Sequence, residues 1–213
     1  TESMNTVERA VVTPETQTLA AAVAATSGAT TDVAAILSGA GPYTVFAPIE
    51  AAFEALGTDR IEVLLDPANV DLLSKVLAYH AISGDIRAGT LTDGQTATTL
   101  AGSDVTFDLS DPMMPMVNGA NIIATDIVTE NGVIHLIDGV LTENLDLVDV
   151  ATVEGFPTLV SLVEQQGLTA TLRSDNGGDG FTVFAPTEAA FAALASVPAG
   201  QALTDVLTYH VLT

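Results

Sequence analysis

One block of sequence occurs twice, and that duplication restricts the chain to architectures built from two similar modules. Thr44-Val45-Phe46-Ala47-Pro48, followed by Glu50-Ala51-Ala52-Phe53 and Leu56, returns as Thr182-Val183-Phe184-Ala185-Pro186 with Glu188-Ala189-Ala190-Phe191 and Leu194. Upstream, Thr18-Leu19 and Val23 match Thr158-Leu159 and Val163; downstream, Val76-Leu77 before Tyr79-His80 match Val206-Leu207 before Tyr209-His210. The copies stand about 130 to 140 residues apart, a domain-sized period and not a solenoid unit. This reading places a complete first module at residues 1–143 and a second at 144–213, cut off after its Tyr-His pair. Nothing in the second copy corresponds to residues 85–141. Such a half-module would leave Phe181, Val183 and the Tyr209 run as unpaired edge and core surface. The expectation is that the natural chain runs on, or that another molecule supplies the missing strands by swapping, which would make self-association a property of the second repeat.

Local patterns predict a mixed module. Tyr43 to Ala47 is a β-branched and aromatic run closed by Pro48, a buried strand. Ile49, Ala52, Phe53 and Leu56 then fall on one face of a helix, with Glu50 and Glu54 turned outward. Val70 to Leu77 reads as a second helix, leading into a strand at Tyr79 to Ile82. Past that point strands take over: Thr96 to Leu100, Val105 to Leu109, Asn121 to Val128 and Val133 to Ile137. The last two are separated by the hairpin signal Asn131-Gly132. Both faces of the strand around His135 are apolar, so it should lie between two layers. Helices ahead of a β-sandwich or wedge make an α+β fold.

Charge bears on partners. Five basic residues face 27 acidic ones, for a net charge of −22. The acids are spread over both copies, so the whole surface is acidic and no single segment is. That field repels phosphate backbones and excludes direct nucleic-acid binding. It also strains the compact state at low salt, a trait of halophilic proteins and equally of acidic secreted ones. The apolar stretches are far shorter than the ~20 residues of a membrane-spanning helix, and nothing near the start reads as a signal peptide. With no cysteine there are no disulfides, thiolate metal sites or thiol nucleophiles. No Asn-x-Ser/Thr acceptor is present.

Four blocks together resemble the fasciclin (FAS1) domain family. Thr44 to Pro48 with Ala52-Phe53 is similar to that family's H1 motif, and Tyr79-His80 to its YH motif. Val117-Asn118-Gly119-Ala120 follows, and Asn131 to Leu141 is similar to H2. Their order and spacing fit across residues 5 to 145, with a partial second copy over 146 to 213. Ile49 departs from the pattern where the second copy has Thr187. The resemblance implies a FAS1-type β-sandwich or wedge with a helical layer. It implies a secreted or cell-surface adhesion role, through contacts with a surface or matrix protein or a glycan. Family members in vertebrates associate the YH region with integrin binding; carried over residue by residue, this makes Tyr79, His80, Tyr209 and His210 the candidate partner-binding residues.

The chemistry-bearing residues offer no enzyme template. His80, His135 and His210 lack ligand partners at metal-binding spacing and read as hydrogen-bonded scaffold, so no metal or cofactor is expected. Asp175 to Gly180 resembles the start of a calcium loop, but Gly177 and Pro186 stand where ligands are needed, and a solvated turn fits better. The methionines of Asp108 to Met116 read as a cap on the core and less well as an adaptable contact surface. Gly39-Ala40-Gly41 is too short for a phosphate cradle. Gly-x-Ser-x-Gly and His-Glu-x-x-His are both absent. The alternative to adhesion is an extracellular module for a small ligand, polysaccharide or cation. A deep apolar pocket with converging polar groups would favour it, and an exposed flat patch would favour the adhesin.

Overall fold

Asn5 opens the first helix, α1 (Thr6–Val12), with a reciprocal cap. Its side chain accepts the Glu8 N–H at 2.9 Å, and its own N–H reaches the Glu8 carboxylate at 2.9 Å. Two donors that a helix start leaves orphaned are thereby satisfied. α2 (Gln17–Ala25) buries Leu19, Ala22 and Val23, and α3 (Val33–Leu37), capped by Asp32, buries Val33 and Leu37. This computed structural model describes residues 4–174 and 180–212. Its contacts divide the chain into two compact units, Thr1–Asn144 and Leu145–Thr213.

In the first unit, β1 (Tyr43–Pro48) is the buried strand that the sequence predicts. α4 (Glu50–Leu56) follows at once and buries Ala52 and Phe53, as their spacing requires. α5 (Thr58–Leu65) and α6 (Val70–Tyr79) complete the helical layer, and β2 (Ala81–Ser83) returns antiparallel along β1. Then come β3 (Thr96–Thr98), β4 (Asp104–Asp108), β5 (Met116–Val117), β6 (Ala120–Thr129) and β7 (Gly132–Ile137). The seven strands form one mixed sheet in the order β2-β1-β7-β6-β5-β4-β3, and the fold is α+β. Only β1 and β7 pair in parallel, with Tyr43 opposite Gly132 and Phe46 opposite His135.

The sheet bends over itself. β6 shifts register between Ile122 and Ala124 and again before Ile127, with Asp126 in a left-handed conformation (φ 58); bulges of this kind turn a strand. As a result Phe46 of β1 meets Phe107 of β4 with ring centroids 5.7 Å apart, although β7, β6 and β5 stand between them in sheet order. Ile82 of β2 also bridges Thr99, one residue past β3. The wedge closes on a core that includes Phe46, Tyr79, Phe107, Ile137 and Leu141.

Two local expectations move. Tyr79 and His80 belong to the end of a helix, and the strand begins only at Ala81. The His80 ring and backbone both bond back to α6, to Val76 and Leu77, and so hold the helical turn through His80. The β6–β7 hairpin forms where Asn131-Gly132 signals it, yet Thr129 pairs with Gly132, so the loop residues are Glu130 and Asn131. Gly132 serves a different need: a Cβ there would lie 2.0 Å from the Tyr43 carbonyl oxygen. Only glycine lets β7 approach β1 so closely.

The second unit repeats the helical half. α7 (Leu147–Val153) has its own reciprocal cap from Asp146 and Asp149, and Arg173 bonds both carboxylates at 2.7 and 3.0 Å. α8 (Pro157–Gln165) and α9 (Thr169–Leu172) lead to β8 (Thr182–Val183), then α10 (Glu188–Ala192), α11 (Gln201–Tyr209) and β9 (Val211–Leu212). β8 and β9 form a two-stranded sheet. Their register, Thr182 opposite Leu212 and Val183 opposite Val211, is that of Thr44 opposite Ile82 and Val45 opposite Ala81 in the first unit. Bond for bond, the copies agree elsewhere too. Thr18 N–H and Oγ1 donate to the two Glu50 carboxylate oxygens at 2.7 and 2.6 Å, and Thr158 does the same to Glu188 at 3.0 and 2.6 Å. The outward-facing glutamate of the sequence pattern is thus a tie between helices.

Candidate functional site

The first Tyr-His pair sits at the C-terminal end of α6, whose apolar face carries Leu73, Val76 and Leu77 into the core. Tyr79 is 2% exposed. Its hydroxyl donates to the Asp104 carbonyl at 2.9 Å and accepts from the Asn118 side-chain amide at 2.7 Å. Burial is the main cause that pushes the phenol upward, against the pull of the Asn118 bond. Asn118 adopts φ 47 in the β5–β6 turn, and its Oδ1 accepts the Thr106 N–H. One amide therefore ties the turn to both β4 and the phenol.

His80 is equally enclosed. Its Nε2 accepts the Leu141 N–H at 2.9 Å, which fixes the tautomer: Nδ1 carries the proton and donates it to the Val76 carbonyl at 2.8 Å. Burial pulls its pKa down to about 4, so the ring is neutral in ordinary conditions. His135 on β7 is fully buried, stacked 5.5 Å from Phe46. It accepts the Asp126 N–H at Nδ1 and donates from Nε2 to the Ile86 carbonyl at 2.9 Å. Burial also lowers its pKa. Each ring thus links distant segments of the wedge through its nitrogens.

The second pair has the same backbone frame in a different setting. His210 Nδ1 bonds the Val206 carbonyl at 2.8 Å, and its carbonyl accepts the Phe184 N–H at 2.9 Å, just as His80 accepts from Phe46 at 2.8 Å. Tyr209 is 88% exposed and meets His210 edge-on at 6.5 Å. Phe184, the counterpart of the fully buried Phe46, is 60% exposed. The structure therefore places Tyr79 and His80 inside the first unit and presents Tyr209 at the surface of the second.

The second unit also holds an apolar groove of about 320 Å³ between α7, α8 and the β8–β9 sheet, lined by residues such as Val148, Leu159, Val163 and Leu207 and by Phe181 and Val183, two of the positions that the incomplete repeat marks as uncovered core surface, with His210 among the lining residues. Its only signal in the sequence is the repeat itself, because these are the second copies of core positions. Among the described residues, no group of three or more His, Cys, Asp or Glu side chains is arranged to hold a metal ion, and no helix is long and apolar enough to cross a membrane. Met113 and Met114 stand exposed and do not cap the core, because the Asp111 side chain and carbonyl hold their N–H groups in an outward turn. The calcium-like stretch falls almost entirely at 175–179, outside the described residues.

Comparison with known proteins adds four findings. The family model of the Fasciclin domain matches residues 14–143 and 154–213. The chain is 42% identical over 139 residues to Protein sll1483 of Synechocystis sp., covering 65% of this chain and 73% of that one. It is 40% identical over 102 residues to the cell surface glycolipoprotein MPB83 of Mycobacterium bovis, 47% of this chain and 44% of that protein. Among solved structures, a FAS1 domain pair from the insect cell adhesion molecule Fasciclin I aligns over 85% of this chain and 59% of that one, at 14% identity and a TM-score of 0.36.

Proposed function

The chain belongs to the fasciclin domain family, and from that premise we propose that it is a secreted or cell-surface adhesion protein, without catalytic activity, that acts through contacts with a surface or matrix protein or a glycan. The observation that carries this reading is the match of the Fasciclin domain model to both copies, over residues 14–143 and 154–213. Exposed aromatic side chains combine large apolar area with a polar tip and carry much of the energy in protein contacts. Tyr209, with His210 beside it, is the candidate contact, and the buried Tyr79 and His80 contribute by holding the first wedge in shape. The name of MPB83 as a cell surface glycolipoprotein supports the location.

The alternative reading, a module for a small ligand, draws on the groove in the second unit. Its walls are mostly aliphatic, with Phe156 and Phe181 and with Glu154, Thr171, Thr208 and His210 as the polar side chains among them. A glycan or a cation needs convergent hydroxyls or carboxylates, which this groove does not gather. Adhesion therefore remains the better account.

The test is capture of surface and matrix components by the whole chain in 0.1 M and molar salt, with Tyr209→Ser beside the wild type. Selective capture that persists in molar salt and drops with Tyr209→Ser is the expected result. Capture that vanishes above the Debye-screening range and ignores the substitution would be nonspecific electrostatics, and would end the proposal.

A further inference from the structure

Three of the four methionines in the chain, Met113, Met114 and Met116, fall where the β4–β5 loop runs into β5. Met113 is 87% exposed and Met114 53%, whereas Met4 and Met116 are half-buried. Burial of a thioether side chain is favourable, so something must hold this pair in water. The backbone does. The Leu109 N–H donates to the Asp93 carboxylate at 2.9 Å, and the Ser110 N–H and hydroxyl donate to Asp108 at 2.9 and 2.6 Å. The Met113 N–H donates to the Asp111 carboxylate at 2.9 Å and the Met114 N–H to the Asp111 carbonyl at 3.0 Å. The Ile122 N–H closes the loop on the Pro115 carbonyl at 2.8 Å, and Pro112 and Pro115 each fix one backbone torsion. None of these bonds uses a methionine side chain, so the turn keeps its shape whatever happens at sulfur.

Thioether sulfur is the most easily oxidised centre that this composition offers, because cysteine and tryptophan are both absent. Hydrogen peroxide reacts with it by two-electron oxygen transfer. The sulfur lone pair attacks one peroxide oxygen, an S–O bond forms as the O–O bond breaks, and the proton on the transferred oxygen passes to the departing hydroxide to give water. Sulfur is oxidised to sulfoxide and the peroxide is reduced. The oxidant must reach sulfur from solvent, and the net charge of −22 repels anionic oxidants while leaving a neutral peroxide free to approach.

We propose that Met113 and Met114 form a peroxide-reactive modification site, oxidised to sulfoxides ahead of Met4 and Met116, which turns the exposed loop from apolar to polar while the first unit stays folded. β5 accounts for the discrimination against Met116. Its backbone pairs with Asp108 on one side and Asn121 on the other, which leaves its side chain flanked by two strands. Met4 is held against the β6–β7 hairpin, where its carbonyl accepts the Glu130 N–H at 2.8 Å. Methionine sulfoxide is polar and is returned to the thioether by sulfoxide reductases, so the change of surface is reversible.

The test exposes the whole chain to hydrogen peroxide and maps the sulfoxides by peptide mass spectrometry at successive times, in buffer and again in denaturing urea. In buffer Met113 converts first and Met114 next, each several-fold faster than Met4 and Met116. In urea all four convert at one common rate, because the fold no longer sets access. Chain oxidised only at Met113 and Met114 keeps its urea midpoint, leaves a hydrophobic-interaction column earlier than the untreated chain, and returns to the original elution after treatment with methionine sulfoxide reductases. The double variant Met113→Leu, Met114→Leu takes up two fewer oxygen atoms and leaves the rate at Met116 unchanged. Met4 or Met116 reacting as fast as Met113 in buffer, selectivity that persists in urea, a midpoint that falls as the pair is oxidised, or an elution that does not move would each overturn the proposal.

Discussion

The Leu141 amide donates to Nε2 of His80 at 2.9 Å, joining the segment that follows β7 to the end of α6 across 61 positions of sequence. The bond exists only while the imidazole is neutral, since a protonated ring has a second donor where the amide needs an acceptor.

Acid should therefore loosen the first unit before its carboxylates matter. The folded pKa of His80 is about 4 against 6.5 for an ordinary imidazole, so the unfolded chain takes up the proton first as pH falls. The contribution of the neutral ring is complete above about pH 6.5 and is lost as pH drops toward 4, by roughly 3 kcal/mol. His135, shifted in the same direction by burial, adds a loss of the same sign. Urea midpoints between pH 7 and 4.5 will show the decline, and His80→Gln will flatten its slope. A pH-independent midpoint over that range contradicts the assigned bonding.

Asn131 concentrates four bonds at one buried amide. Its Nδ2 donates to the Leu37 and Gly39 carbonyls, both at 2.7 Å, and its Oδ1 accepts from the Thr6 N–H and hydroxyl, both at 2.9 Å. Asn131→Ala strands several of these groups away from water and should cost about 2–4 kcal/mol. Asn131→Asp keeps the acceptor, loses the donors, and adds a buried charge, so it should cost at least as much. Chemical denaturation of the two variants measures both.

Gly132→Ala has no local remedy, because the atom in its way is backbone. We expect more than about 3 kcal/mol of destabilisation and loss of the β1–β7 pairing, visible as rapid hydrogen exchange at the Val45 and Ala47 amides. An equivalent change at Gly94 (φ +73), where nothing lies within 4 Å of an added Cβ, should cost less, since only backbone strain opposes it.

The Thr–Glu ties should be readable by titration. The Thr18 hydroxyl is the leading cause that holds the Glu50 carboxyl below the usual range. Thr18→Val should raise the Glu50 pKa in a carbon-detected titration, and an unchanged value would show that backbone bonds alone suffice.

Much of this was legible in the residues. Tyr43 to Pro48 announced a buried strand because every position is apolar, β-branched or aromatic, and α4 followed from the spacing of Ala52 and Phe53. The curl of the sheet was not legible. It arises where β6 changes register around Ala124 and Asp126, and a side-chain pattern does not encode a bulge. Tyr79-His80 read as a strand because its residues suit one, and its helical placement comes from the turn bond of His80 back to Val76 together with tertiary bonds to Asp104 and Leu141. Asn131-Gly132 marked the right hairpin for a reason that only the fold reveals: the asparagine bridges helices and the glycine makes room for Tyr43. Of the candidate site, the motif located both pairs but carried no information on exposure. That depends on strands far away in sequence, which enclose Tyr79 and leave Tyr209 in solvent.

The parallel pairing of β1 with β7 also sets a timetable for the first unit. About ninety residues separate the two partners, and translation at ~5–20 residues per second delivers the later one on the order of 5 to 20 s after the earlier. Through that interval the nascent first half holds its helices beside a β1–β2 pair that lacks β7, the strand that joins it to β6. The period between synthesis of Tyr43 and emergence of Gly132 is thus when the growing polypeptide most needs shelter, and slowing the ribosome within residues 85–131 should lower its yield more than slowing it after Leu141.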